Sequence, residues 1–93
     1  MLSRAPPLDV MPKVTLYSKP DCPLCDEARE ALARVHARVP LELEEVDITR
    51  DDALESRYRE RIPVIAVAGE DLYDFHVDEP ALEHRLSAGA PAR

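Results

Sequence analysis

Tryptophan is absent from this 93-residue chain, and its aromatic residues are confined to Tyr17, Tyr58, Tyr73 and Phe75. The core must therefore be built from aliphatic side chains. Cysteine occurs only twice, too few for a four-ligand structural zinc site. His36, His76 and His84 are not at zinc-finger spacing either. No run approaches the ~20 apolar residues of a transmembrane helix. Lysine is scarce: ten of the twelve basic residues are arginine, and the formal charge is −7. There is no basic stripe and no interleaving of aromatic with basic residues. The electrostatics therefore argue against nucleic acid and against an anionic membrane surface as partners. What remains is a chain 45% apolar and 33% charged, the balance of one small globular domain.

Both cysteines fall in Tyr17-Ser18-Lys19-Pro20-Asp21-Cys22-Pro23-Leu24-Cys25. The stretch follows an alternating run, Val14-Thr15-Leu16-Tyr17, and precedes a segment of helical periodicity. Cys22 suits the N-cap, with Pro23 at the first helical position, where a missing N–H costs nothing. A thiolate on Cys22 could accept from the N–H groups of Leu24 and Cys25. The helix dipole favours negative charge there by roughly 0.3–1 kcal/mol, enough to hold the thiol below its ordinary range. Cys25, three residues on, shares the helical face and is within reach of a disulfide. The pattern suits a nucleophile, Cys22, and a resolving partner, Cys25. The bland reading is a pair of buried structural cysteines.

The remaining elements follow from periodicity. Strand one is expected at 13–18 and helix one at 23–38, with Leu24, Ala28, Ala31, Leu32, Val35 and Val39 inward and His36 at the apolar edge. Glu30, Arg34 and Arg38 form a solvated face. Pro40 ends the helix. Strand two is expected at 41–48, with a phase slip near Glu45 that suggests a bulge or an edge strand. A short helix to about residue 59 would pack Leu54 and Tyr58 against the sheet. Strand three, 62–68, opens on a proline. Gly69-Glu70-Asp71 makes a turn into strand four, 72–77. Asp78 caps a last helix from Glu79 to about residue 87. The first two strands, joined by a helix, should be parallel. The expected class is α/β: a four-stranded mixed sheet with three helices, in the order βαβαββα. The domain should span 13–88, between an N-terminal tail at 1–12 and a C-terminal tail at 89–93.

This order, with a Cys-x-x-Cys after strand one and Pro63 opening strand three, resembles the thioredoxin fold and, within it, the glutaredoxin-like proteins. The residues that carry the likeness are 17–25 and Arg61-Ile62-Pro63-Val64-Ile65, and it extends over roughly residues 13–86. The resemblance implies a thiol–disulfide oxidoreductase in which Cys22 and Cys25 are catalytic. It also implies a cis bond before Pro63, an Ile62 backbone open to an extended substrate, and Lys19 near Cys22. Glutaredoxins that bind glutathione usually carry a Gly-Gly pair and an acidic residue after strand four. Here that place reads Phe75-His76-Val77-Asp78-Glu79, so only Asp78 is left to receive an amine. Asp21, Asp26 and Glu27 add negative charge beside the motif, which opposes thiolate formation and disfavours an anionic tripeptide.

The expectation is an enzyme with no bound cofactor and weak glutathione-coupled turnover. Its better partner would be a disulfide-containing protein or a dithiol reductase, and it should be a monomer. Residues 1–12 lack the continuous apolar stretch of a signal peptide, so a cytoplasmic location is expected. In that reducing compartment a Cys-x-x-Cys is catalytic or metal-binding rather than a staple. The competing reading is a thioredoxin-fold module that binds a metal or a shared iron–sulfur cluster without turnover; a redox-inactive adaptor is a third.

Overall fold

The computed structural model describes residues 11–88. The tails expected at 1–12 and 89–93 lie outside that span, apart from Met11 and Pro12. The chain is already tied down at Pro12, whose carbonyl accepts the Glu42 N–H at 2.9 Å.

Strand β1 (Lys13–Ser18) is followed by helix α1 (Pro23–Arg38) and strand β2 (Glu42–Asp47). A 3₁₀ turn (Ile48–Arg50) leads into helix α2 (Asp52–Tyr58). Strands β3 (Val64–Val67) and β4 (Glu70–Asp74) form a hairpin, and helix α3 (Glu79–Ala88) closes the described chain. The sheet order is β2-β1-β3-β4. β1 pairs parallel with β2, from Lys13 opposite Glu42 to Ser18 opposite Asp47, and antiparallel with β3. The expected α/β class, the parallel first pair and the antiparallel second hairpin are all present.

Alternation along the two central strands divides the core. Val14 and Leu16 of β1 and Ile65 and Val67 of β3 meet Ala28, Leu32 and Val35 of α1 and Leu82 and Leu86 of α3. Burying a leucine such as Leu32 or Leu82 contributes about 1.5–3 kcal/mol. The second cluster gathers Cys22, Cys25, Ile48, Tyr58, Ile62 and Val64, with Tyr17, Leu24 and Leu54 against it. α2 thus covers the face opposite α1 and α3, and the cysteines sit where α1 begins.

In the first half one alternative is decided and one reading is corrected. The slip near Glu45 belongs to an edge strand and not to a bulge: β2 lies at the sheet edge in unbroken register with β1, and the irregularity falls between Ile65 and Ala66. Leu41 and Ile48 are buried just outside β2 while Leu43 is exposed, so the phase slip marks the strand ends. His36, expected at the apolar edge of α1, is exposed. Arg34 and Arg38 are exposed as expected, but they also reach across to Glu79 and Glu83 of α3.

The hairpin differs as well. Its turn is Ala68-Gly69, not residues 69–71, so β4 runs 70–74 rather than 72–77. Val67 pairs with Glu70, and both turn residues have positive φ (52° and 85°). That matches a two-residue type I′ turn, whose twist suits antiparallel strands. β3 also begins at Val64 rather than Ile62. Alanine tolerates the left-handed region poorly. Ala68→Asn is therefore expected to raise unfolding free energy by about 0.5–1 kcal/mol. Urea denaturation checks it; an unchanged midpoint would mean that the turn relaxes out of this conformation.

Candidate active site around Cys22 and Cys25

Cys22 is the N-cap of α1, with extended backbone (φ −121°, ψ 102°) and Pro23 at the first helical position. Its Sγ accepts the Cys25 N–H at 3.1 Å. The two sulfurs are at disulfide-bonding distance, with the Cα atoms 5.1 Å apart. Cys25 is fully buried, whereas Cys22 retains 9% exposure, so of the pair only Cys22 meets solvent. Of the two N–H donors expected at Cys22, the one from Cys25 is made.

Ile62 and Pro63 are joined by a cis peptide bond and both are buried. Ile62 packs in the cysteine cluster. The segment before them is pinned by Arg61, which donates to Asp74 at 3.1 Å and lies 5.3 Å from the Tyr58 ring centroid. Tyr58 in turn stacks on Tyr17, with centroids 4.4 Å apart, and its hydroxyl donates to Asp71 at 3.2 Å. Burial, with the Asp71 carboxylate beside it, pushes the Tyr58 phenol above its usual range.

Lys19 is exposed and lines a groove of about 380 Å³ with Ser18, Pro20, Arg29, Glu45 and Asp47, at the C-terminal ends of β1 and β2. Asp78 caps α3: its Oδ1 accepts the Ala81 N–H at 3.1 Å. The structure thus brings Ile62 to the cysteines, and it places Asp78 at the helix start where the sequence put it.

One network was not legible in the sequence. Arg29 of α1 donates to Asp26 at 2.7 Å and holds Glu45 of β2 through two donors, while the buried Ser18 hydroxyl donates to the same Glu45 at 2.8 Å. The Arg29 bond, aided by Ser18, holds the Glu45 carboxyl below its usual range. Arg29 and Asp26 are visible as an i, i+3 pair, but Glu45 joins them only through the β1–β2 register. The network offsets the Asp26 charge one residue from Cys25, so the acidic crowding inferred from sequence is only partly present.

The chain belongs to the glutaredoxin-like domain family. The match to that family, described as "Glutaredoxin-like domain (DUF836)", runs over residues 13–88. Among solved structures, a structural-genomics target protein (XcR50) from X. campestris is 43% identical over 81% of this chain and 96% of its own, with a TM-score of 0.66. Protein Ne2328 from Nitrosomonas europaea is 24% identical over 92% and 99%, with a TM-score of 0.73. A mutant thioredoxin from Halobacterium salinarum is 18% identical over 91% and 80%, with a TM-score of 0.68. The last two establish a thioredoxin-like fold. In this glutaredoxin-like protein, the fold and the apposed cysteines fit a redox role. Among the described residues, no helix is long and apolar enough to cross a membrane.

The Arg29 network has a pH signature. Because the folded state depresses the Glu45 carboxyl, the stability it contributes is present above the ordinary value of 4.5 and is lost as pH falls below it. Arg29→Gln should flatten the fall in stability below pH 4.5 relative to the parent chain, as read by thermal melts across pH. Parallel acid limbs in the two proteins would show that Glu45 does not depend on Arg29.

Proposed function

We propose that this chain is a dithiol thiol–disulfide oxidoreductase, with Cys22 as nucleophile and Cys25 as resolving thiol. The observation that carries this reading is the capping geometry: the Cys22 sulfur ends the helix, accepts a backbone N–H and touches a second, buried sulfur. A thiolate in that place gains from both the donor and the dipole.

In the reduced chain, the Cys22 thiolate attacks one sulfur of a substrate disulfide. The substrate S–S bond breaks, a mixed disulfide forms on Cys22, and the first leaving thiolate takes a proton from solvent. Cys25 then loses its proton and attacks the Cys22 sulfur, expelling the second substrate thiolate, which is protonated in turn. Two electrons and two protons pass to the substrate, and the chain is left with the Cys22–Cys25 disulfide. A dithiol reductase supplies the electrons for the next cycle. Burial keeps Cys25 from meeting any sulfur but that of Cys22. Ile62 and Pro63 form the substrate edge beside the pair, Lys19 offers a positive charge at its rim, and Asp78 offers a carboxylate.

The reading needs no bound cofactor and treats the chain as a cytoplasmic monomer. Its partner is a disulfide-bearing protein rather than glutathione. Val77 and Asp78 stand where glutathione-binding relatives approach their ligand with glycine backbone. Asp21 and Glu27 leave negative charge near an anionic tripeptide, costing about 1 kcal/mol per close contact in a water-like dielectric.

Cys22→Ser is expected to abolish disulfide reduction, and Cys25→Ser to accumulate a mixed disulfide on Cys22, visible as a mass increase. Normal turnover by Cys22→Ser would end the enzyme reading, and metal bound stoichiometrically in fresh protein would favour the metal-module alternative. In steady-state assays, turnover coupled to thioredoxin reductase should exceed that with glutathione and its reductase. Efficient, saturable turnover with glutathione alone would restore an ordinary glutaredoxin.

A further inference from the structure

Two large apolar side chains are exposed in the described chain, Leu43 on the edge strand and Phe75 at 43% exposure. Phe75 follows β4 directly. Its φ is +70°, a genuine outlier for a bulky residue. The His76 N–H reaches back to the Asp74 carbonyl at 2.7 Å, so Phe75 is the centre of a three-residue turn of the rare, strained kind. The Phe75 N–H donates to the Pro63 carbonyl at 2.7 Å. The aromatic ring is therefore attached, through one hydrogen bond, to the segment that packs on the cysteines. A strained turn that leaves an aromatic ring in water contributes little to folding, and such strain collects at ligand clamps.

Phe75 lines a groove of about 150 Å³ with Glu27, Ala31, His76 and Val77. Glu27 lies five residues into the helix that Cys22 caps, about 7.5 Å along its axis. The groove has two carboxylates and one guanidinium, that of Arg34. Glu79 is held by Arg34 at 2.7 Å, but Glu27 is exposed and has no ion pair among the described residues. The groove thus joins the exposed Phe75 side chain to a carboxylate that has no ion pair among the described residues, on the helix that Cys22 caps.

We propose that Phe75 and Glu27 form a docking subsite for the protein segment that carries the target disulfide, and that they select a large apolar side chain next to a basic one. The proposal rests on the oxidoreductase reading above and names its substrate class: polypeptide disulfides with apolar and cationic flanks, not small hydrophilic ones. Phe75 supplies the buried contact on binding, and Glu27 pairs with the cation. Neither touches the reacting sulfurs, so their effect falls on recognition.

The test uses the full chain and three disulfides: a peptide with Leu and Arg beside its cysteine, the same peptide with Gly and Asp there, and hydroxyethyl disulfide. The parent should prefer the Leu/Arg peptide over the Gly/Asp peptide by about tenfold or more in kcat/KM, the scale of one apolar contact. Phe75→Ser should erase most of that preference through KM, Phe75→Leu should restore it, and Glu27→Gln should lower it several-fold at low salt. An unchanged preference in Phe75→Ser would overturn the proposal, even with all three disulfides reduced. Failure of the parent to reduce any of them would instead overturn the oxidoreductase reading. Docking is then read separately from NMR shifts with the serine form of the Leu/Arg peptide. Perturbation of Phe75 and Glu27 supports the subsite, and its absence rejects it.

Discussion

The hydrogen bond from the Cys25 N–H to the Cys22 sulfur governs this molecule. A helix must satisfy its first N–H groups somewhere, and here one of them ends on the Cys22 sulfur. Forming α1 therefore also sets a backbone donor on the Cys22 sulfur. A hydrogen bond to a charged group contributes about 1.5–3 kcal/mol net, comparable to burying one leucine. Pro23 supports the arrangement because its missing N–H removes a donor that would otherwise need a partner.

Everything that aims this sulfur hangs from β1. The strand is paired on both edges and delivers the chain, through Asp21 with its positive φ, to the start of α1. Its alternation sends Val14 and Leu16 to one core and Tyr17 to the other. Tyr17 stacks on Tyr58, Tyr58 and Asp74 hold Arg61, and Arg61 precedes the Ile62-Pro63 segment against the cysteines. The site is held from beneath by packed rings and ion pairs, while only Cys22 of the pair meets solvent.

Charge is managed locally in a chain that is acidic overall. Asp26 sits one residue from Cys25, yet its carboxylate is turned to Arg29, which also ties down Glu45. Both partners are largely exposed, so the network adds little stability. Its consequence is electrostatic: among the described residues it leaves Asp21 and Glu27, not Asp26, as the carboxylates without an ion pair near the motif. Glu27 leaves negative charge on the Phe75 side, and Lys19 adds a positive charge on the β2 side.

The sequence by itself determined the order of elements, the capping of α1 by Cys22 and of α3 by Asp78, and the inward face of α1. These depend on interactions within a few residues, so local spacing reports them. Boundaries failed where backbone conformation, not side-chain pattern, set them. The hairpin turned at Ala68-Gly69 because two successive positive φ angles match the strand twist, and alanine gives no sign of that. The Ser18–Glu45–Arg29 network and the apposition of Ile62 with the cysteines were decided by tertiary structure alone. They join residues far apart in the chain, and only the parallel register of β1 with β2 and the antiparallel register of β1 with β3 bring them together. The exposure of Phe75 belongs to the same class: an alternating run predicted a strand through residue 77, but the chain left the sheet at Asp74 in a strained turn and placed the ring in solvent.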